Sequence, residues 1–179
     1  YWYDLQPNIT RTAKDQAERL HKEDIWAEIV KRLQDQAHTR GDFAGVHPCP
    51  DSNGDIPDTD VARLVILHPR FSHKRKTEST AMEFARNSTE QRGSANRVNR
   101  NMLVYLAADE DRLAELDAAT REYLGWSHVL DNAADLDLTQ NQRNQAAQRQ
   151  IQANSTVAAR LQQTFAWGLV PHQPDPGAP

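Results

Sequence analysis

Three short apolar runs constrain this chain more than any other feature: Arg63 to Leu67 (RLVIL), Met102 to Ala107 (MLVYLA) and Phe165 to Val170 (FAWGLV). Each is too short to be a buried helix. The first two are apolar throughout and rich in branched side chains, as strands covered on both faces are. Between them lie longer stretches with helical periodicity. Thr10 to His38 reads as one long helix, open to a break near Asp24, with Ala13, Ala17, Leu20, Ile29, Val30, Leu33 and Ala37 on one stripe. Thr10 or Thr12 is placed to cap its start, and Gly41 follows its end. Ser79 to Gln91 reads as a helix with Ala81, Met82, Phe84 and Ala85 inward, stopped by Gly93. Asp109 to Leu130 is a helix with acidic residues in its first turn and a buried face of Leu113, Leu116, Ala119, Tyr123 and Leu124. Thr139 to about Thr164 is another, rich in Gln and Asn, with Ala146, Ala147, Ala158 and Leu161 as its stripe.

Phe43 to His47 is a candidate fourth strand, ended by Pro48-Cys49-Pro50, and Asp51 to Asp60 is a turn-rich loop. Strands alternating with helices predict an α/β fold. It has a small, mainly parallel sheet of three or four strands, helices packed on it, and two long helices. The expected organisation is a single α/β domain over residues 1–170, with 1–9 as a lead-in from a parent chain and 171–179 as a linker tail. The first residue is Tyr1 and the end is Pro-rich, which reads as a segment of a larger protein.

The core this chain can build is thin, because Leu, Ile, Val and Phe are about a fifth of its 179 residues. The net charge of −4 is uneven. Residues 1–62 carry 7 basic and 12 acidic side chains, 63–100 carry 9 and 3, and 101–179 carry 5 and 10. A basic middle therefore lies between two acidic flanks. A single cysteine, Cys49, forbids an internal disulfide and suits a reducing compartment. With no stretch near membrane-spanning length and no signal-peptide pattern, a cytoplasmic location and no membrane partner are expected.

Neither a G-x-x-x-x-G-K-[ST] phosphate cradle nor a G-x-G-x-x-G dinucleotide turn occurs, so no nucleotide cofactor and no catalytic residues are expected within this segment. The best site candidate is the run His68 to Lys76 after the first strand. Loops at the carboxyl ends of parallel strands line ligand crevices, and this one leads into a helix start, where N–H groups favour anions. Arg70, His73, Lys74, Arg75 and Lys76 are thereby candidates for phosphate or nucleic acid. The plainer reading is a solvated charge run. Arg92, Arg97 and Arg100 enter at the opposite end of the second strand, where they read as sheet-edge solvation.

Other patterns fail on spacing. Asp51 to Asp55 resembles a calcium loop, but Gly54 is at position four rather than six, and Ala62 stands where a bidentate Glu belongs. His47, Cys49 and His68 lack a fourth ligand for zinc, so no metal site is expected. Cys49 as a nucleophile would need a base beside it, which the sequence does not supply. Tyr1-Trp2-Tyr3-Asp4 suits docking better than base stacking, and Trp26, Trp126 and Trp167 read as packing residues.

Four stretches together resemble one family: Tyr1-Trp2-Tyr3-Asp4-Leu5-Gln6-Pro7-Asn8, Arg63 to Pro69, Arg97 to Ala107, and Val170-Pro171-His172-Gln173-Pro174. In order and spacing they are similar to domain-of-unknown-function family 499. Its members are large bacterial and archaeal AAA+-like ATPases, many encoded in phage-defence gene clusters beside methyltransferase and helicase genes. The resemblance spans nearly the whole chain. It implies an accessory domain following an ATPase core whose P-loop, ATP and magnesium lie upstream. The implied partners are that core and other proteins of the same system. It assigns no catalytic residue here, and it would put Tyr1 to Arg11 nearest the core, with Arg11 within reach of a nucleotide in trans. Two alternatives stay open. One is a nucleic-acid- or phosphate-binding module using the basic block 63–100. The other is a stand-alone small-molecule enzyme with its site near His68 and Ala107.

Overall fold

In a computed structural model, which describes residues 8–172, the chain forms α1 (Ile9–Arg19), α2 (Lys22–Gln36), β1 (Gly45–Pro48), β2 (Arg63–Ile66), β3 (Ser72–His73), α3 (Thr80–Glu90), β4 (Gln91–Arg92), β5 (Ala95–Asn96), β6 (Leu103–Asp109), α4 (Leu113–Asp131), α5 (Gln140–Thr164) and β7 (Phe165–Leu169). The fold is mixed α/β with two long helices. Two compact units emerge among the described residues, one of 8–28 with 114–162 and the other of 29–113 with 163–172. No helix among the described residues is long and apolar enough to cross a membrane.

The second unit holds the sheet. β1, β2 and β6 run parallel side by side, with Gly45 opposite Arg63 and Arg63 opposite Leu103. β7 pairs antiparallel with β6, Tyr105 opposite Leu169. The reversal follows from connectivity. The chain leaves β6 through two helices rather than one, and an out-and-back excursion re-enters in the opposite direction. The sequence reading missed β3, whose two residues lie inside the basic run and pair with Ala108 and Asp109. Ala108 also pairs with Phe165, so β3 and β7 flank β6 on opposite sides. The core of this unit joins Ile56, Val65, Leu67, Ala81, Ala85, Leu103, Tyr105 and Ala107. Burying each large member contributes about 1.5–3 kcal/mol.

The first unit is helical. Ile9, Ala13, Trp126, Val129, Ala133, Leu138, Ala146 and Ala153 form its core. The Thr10 to His38 stretch is two helices, broken at Leu20 and His21. Asp24 accepts from the His21 N–H at 2.9 Å, which starts α2 afresh. Arg121 donates to Leu20 O at 2.6 Å and Ala17 O at 3.2 Å, closing the carbonyl end of α1. Asn8, not Thr10 or Thr12, caps α1, accepting from the Arg11 N–H at 3.1 Å. Small residues let α1 and α4 approach closely: a Cβ on Gly125 would lie 2.4 Å from Ala13 O. Tyr1-Trp2-Tyr3-Asp4 and the tail from Gln173 lie outside the described residues.

Candidate functional site

The basic run after β2 is the first place to look for chemistry, and its five side chains do not share one surface. His73 sits in β3 and is buried, its Nδ1 2.8 Å from Ser79 Oγ and its ring edge-on to Trp167 at 4.8 Å. Ser79 in turn caps α3 by accepting from the Met82 N–H at 3.3 Å. The serine thus occupies one of the helix-start N–H groups that an anion would use. Lys74 places its Nζ 2.7 Å from Asp111 Oδ1, and that bond raises the lysine's pKa. Glu110 and Asp109 add further negative charge beside it. A phosphate approaching Lys74 would have to displace a carboxylate. Arg70 lies over the Phe71 ring at 4.7 Å, and Arg70, Arg75 and Lys76 are exposed.

The arginines before β6 hold a different surprise. Arg97 is not a solvated edge residue but one of the most buried polar side chains, 2 % exposed. Its guanidinium donates to Ser88 O at 2.8 Å, Pro57 O at 2.8 Å, Ile56 O at 3.2 Å and, more loosely, Asn53 O at 3.4 Å. Burial lowers its pKa, while the carboxylate of Asp58 opposes that shift. Asp58 accepts from the N–H groups of Val98 (2.7 Å) and Asn99 (3.0 Å) and from Asn99 Nδ2 (3.0 Å). These donors hold its carboxyl below the usual range. The loop between β1 and β2 is thus tied to the segment before β6 in both directions, by the Arg97 guanidinium reaching into the loop and by the loop's own Asp58 carboxylate reaching back. Arg92 and Arg100 make single backbone contacts, to Gly54 O at 3.4 Å and Arg97 O at 3.3 Å.

The Asp51 to Asp55 turn is committed to the same structure. Ser52 and Asp55 cap a short 3-10 helix at Asn53–Asp55 reciprocally. Asn53 bonds the Asn87 side chain at 2.6 Å and accepts from the Gly93 N–H at 2.9 Å. No group of three or more His, Cys, Asp or Glu that could hold a metal occurs among the described residues. Cys49 sits at a left-handed φ of 50° in the turn after β1, and burial pushes its thiol up to about 12. Burial also lowers His47, with Arg63 Nη1 3.3 Å from its Nε2 and acting in the same direction.

Neither His68 nor Ala107 lines the main cavities among the described residues. Two lie in the helical unit, and Trp126 and Arg149 line both. The third, of about 610 Å³, lies in the sheet unit between α3 and β7. It is lined by Met82, Ala85, Thr89 and Tyr105, with Leu169 and Val170 on the strand side. At its base the Tyr105 hydroxyl is 2.9 Å from Thr89 Oγ1. Burial raises the tyrosine's pKa. None of the cleft's residues forms a sequence motif. Comparison of the chain with protein-family models, with curated proteins and with solved structures found no match.

Proposed function

We propose that this chain is a non-catalytic contact module of a larger AAA+-like ATPase, coupling the ATPase core to another part of its assembly. The observation that carries the reading is the fate of the side chains able to do chemistry. Arg97, Asp58, Arg121 and His73 each serve a backbone group or a helix cap, and Lys74 serves Asp111. Polar groups so engaged organise a surface for contact and leave little for a reaction centre. The four stretches that resemble domain-of-unknown-function family 499 support the same reading. On it, ATP and magnesium belong to the parent chain, the system is one of phage defence, and the setting is the cytoplasm.

Two measurements test it. The isolated 179-residue chain is expected to show no ATP hydrolysis above the buffer rate. Measurable turnover by this segment alone would overturn the reading. Deleting the segment from the parent protein should change that protein's ATPase rate or its recruitment of partners. An unchanged parent would be equally damaging. A nucleic-acid reading keeps one specific support, the exposure of Arg70, Arg75 and Lys76. It predicts binding to a single-stranded oligonucleotide that weakens steeply with salt. Absence of binding at 50 mM salt, about the low end of the usual range, removes it.

A further inference from the structure

The edge of the sheet at β7 is unprotected in an unusual way. β7 pairs with β6 alone among the described residues, so its other flank presents unpaired backbone N–H and C=O groups. Proteins commonly blunt such an edge with lysine or proline. Phe165–Leu169 carries no charge and no proline, and the first proline comes at Pro171. α3 packs over β3 and β6, which leaves Trp167 and Leu169 half-buried. The 610 Å³ cleft occupies the space so left. Val170, at its mouth, is 66 % exposed. A helix set back from an open strand edge is the arrangement in which an extended peptide gains main-chain bonds from the strand and a side-chain pocket from the helix.

The charge at the mouth selects the occupant. Arg86 is held in a two-pronged pair by Glu78, both bonds 3.0 Å. Glu90, one turn on, makes no side-chain hydrogen bond or ion pair among the described residues. Glu78 and Glu90 thus both act on the one guanidinium, and the cleft's mouth is left with one carboxylate in excess. The chain's own ends fit poorly. Residues 1–7 and 173–179 contain no Lys or Arg, and the second segment has Pro174, Pro176 and Pro179, which cannot donate to a ladder, and Asp175, which repels Glu90.

From this geometry we infer that the α3–β7 cleft is a docking groove for an extended segment of another polypeptide. That segment alternates apolar and basic residues, adds as a strand to β7, and meets Glu90 with a basic side chain. The inference rests on the reading of the chain as a contact module and names its surface.

The test is a titration of the isotope-labelled 179-residue chain with two acetylated, amidated heptapeptides, one alternating Lys and Val, the other Glu and Val. The basic peptide should shift the amides of Phe165–Leu169, protect them from exchange, and bind about five- to tenfold tighter than the acidic one. Glu90→Lys, an exposed substitution whose folding is checked by circular dichroism, should reverse the preference. Shifts confined to another surface would overturn the groove while leaving the contact-module reading intact. Equal affinities, no shift with either peptide, or β7 amides protected by self-association in sedimentation would each overturn it too.

Discussion

Replacing Arg97 with alanine should cost this protein more stability than removing any other arginine of the basic segment. The guanidinium is almost fully buried and makes three bonds of 3.2 Å or shorter to the carbonyls of Ser88, Pro57 and Ile56. A hydrogen bond from a charged donor contributes about 1.5–3 kcal/mol. The three are not additive, since water can enter the vacated space and re-bond some of the carbonyls. The expected loss is therefore about 3 kcal/mol, between one such bond and their full sum. Against a total stability of about 5–15 kcal/mol this is a large fraction. It would move a urea midpoint by about 1–3 M at unchanged slope. Arg97→Lys should lose roughly half as much, because one ammonium cannot reach all three carbonyls. Arg92→Ala, at an exposed residue with one 3.4 Å bond, is the control and should stay within about 0.5 kcal/mol. Hydrogen exchange should localise the damage to the amides of Asp55 and Ile56, which bond back to Ser52 O and Asn53 O. If Arg97→Ala falls within about 1 kcal/mol of the Arg92→Ala control, the guanidinium is not what holds that loop.

Three further expectations follow from the same contacts. Gly125→Ala should destabilise, although helix propensity alone favours alanine by about 1 kcal/mol. The new Cβ meets Ala13 O at 2.4 Å and forces α1 off α4. A melting temperature that rises would refute this. Asp58 is held below its ordinary carboxyl pKa by the Val98 N–H first and then by Asn99. Its contribution is present above about pH 4, the unfolded carboxyl value, and is lost as pH falls through the lower folded value. The wild type should thus lose more stability between pH 5 and pH 2 than Asp58→Asn, on the order of that pH window, and parallel urea midpoints would contradict it. With burial pushing its thiol up to about 12, Cys49 should react with a disulfide reagent at pH 8 about fiftyfold more slowly in the folded chain than in urea, since the loss of thiolate is partly offset by its greater nucleophilicity. Comparable rates in the two states would show that the thiol is not shielded.

Much of the fold was legible in the sequence, because apolar clustering directly encodes what must be buried. RLVIL, MLVYLA and FAWGLV become adjacent strands, and the four helical stretches appear within a few residues of where periodicity puts them. The misses have specific causes. β3 is two residues long and owes its existence to the ladder offered by Ala108 and Asp109. The break at Leu20 and His21 falls close to the one anticipated near Asp24, whose carboxylate restarts the helix, but the closing of α1 by Arg121, about a hundred residues away, has no local signal. In α5 the expected stripe of Ala146, Ala147, Ala158 and Leu161 is instead Ala146, Ala153, Val157 and Leu161. With so little apolar contrast among Gln, Asn and Ala, periodicity fixes the phase of that helix poorly. The cleft beside β7 was illegible for a further reason: it is a space between elements rather than a property of any run.

The misreading of Arg97 points to how a chain of this composition stays folded. A mean hydropathy of −0.80 leaves too few apolar side chains to anchor every loop by burial. Long loops such as that between β1 and β2 must then be held by polar groups acting on backbone. Such bonds have value only where water is excluded, so their donors and acceptors move inward. Arg97 in the sheet unit and Arg121 in the helical unit have the same role, each donating to the carbonyls of a turn. In a polar sequence, a basic residue beside a strand is therefore weaker evidence for a ligand than the same residue in an apolar one. A carboxylate in excess of the pairing around it, as Glu90 is beside the Arg86–Glu78 pair at the mouth of an apolar cleft, is the stronger sign of an external partner.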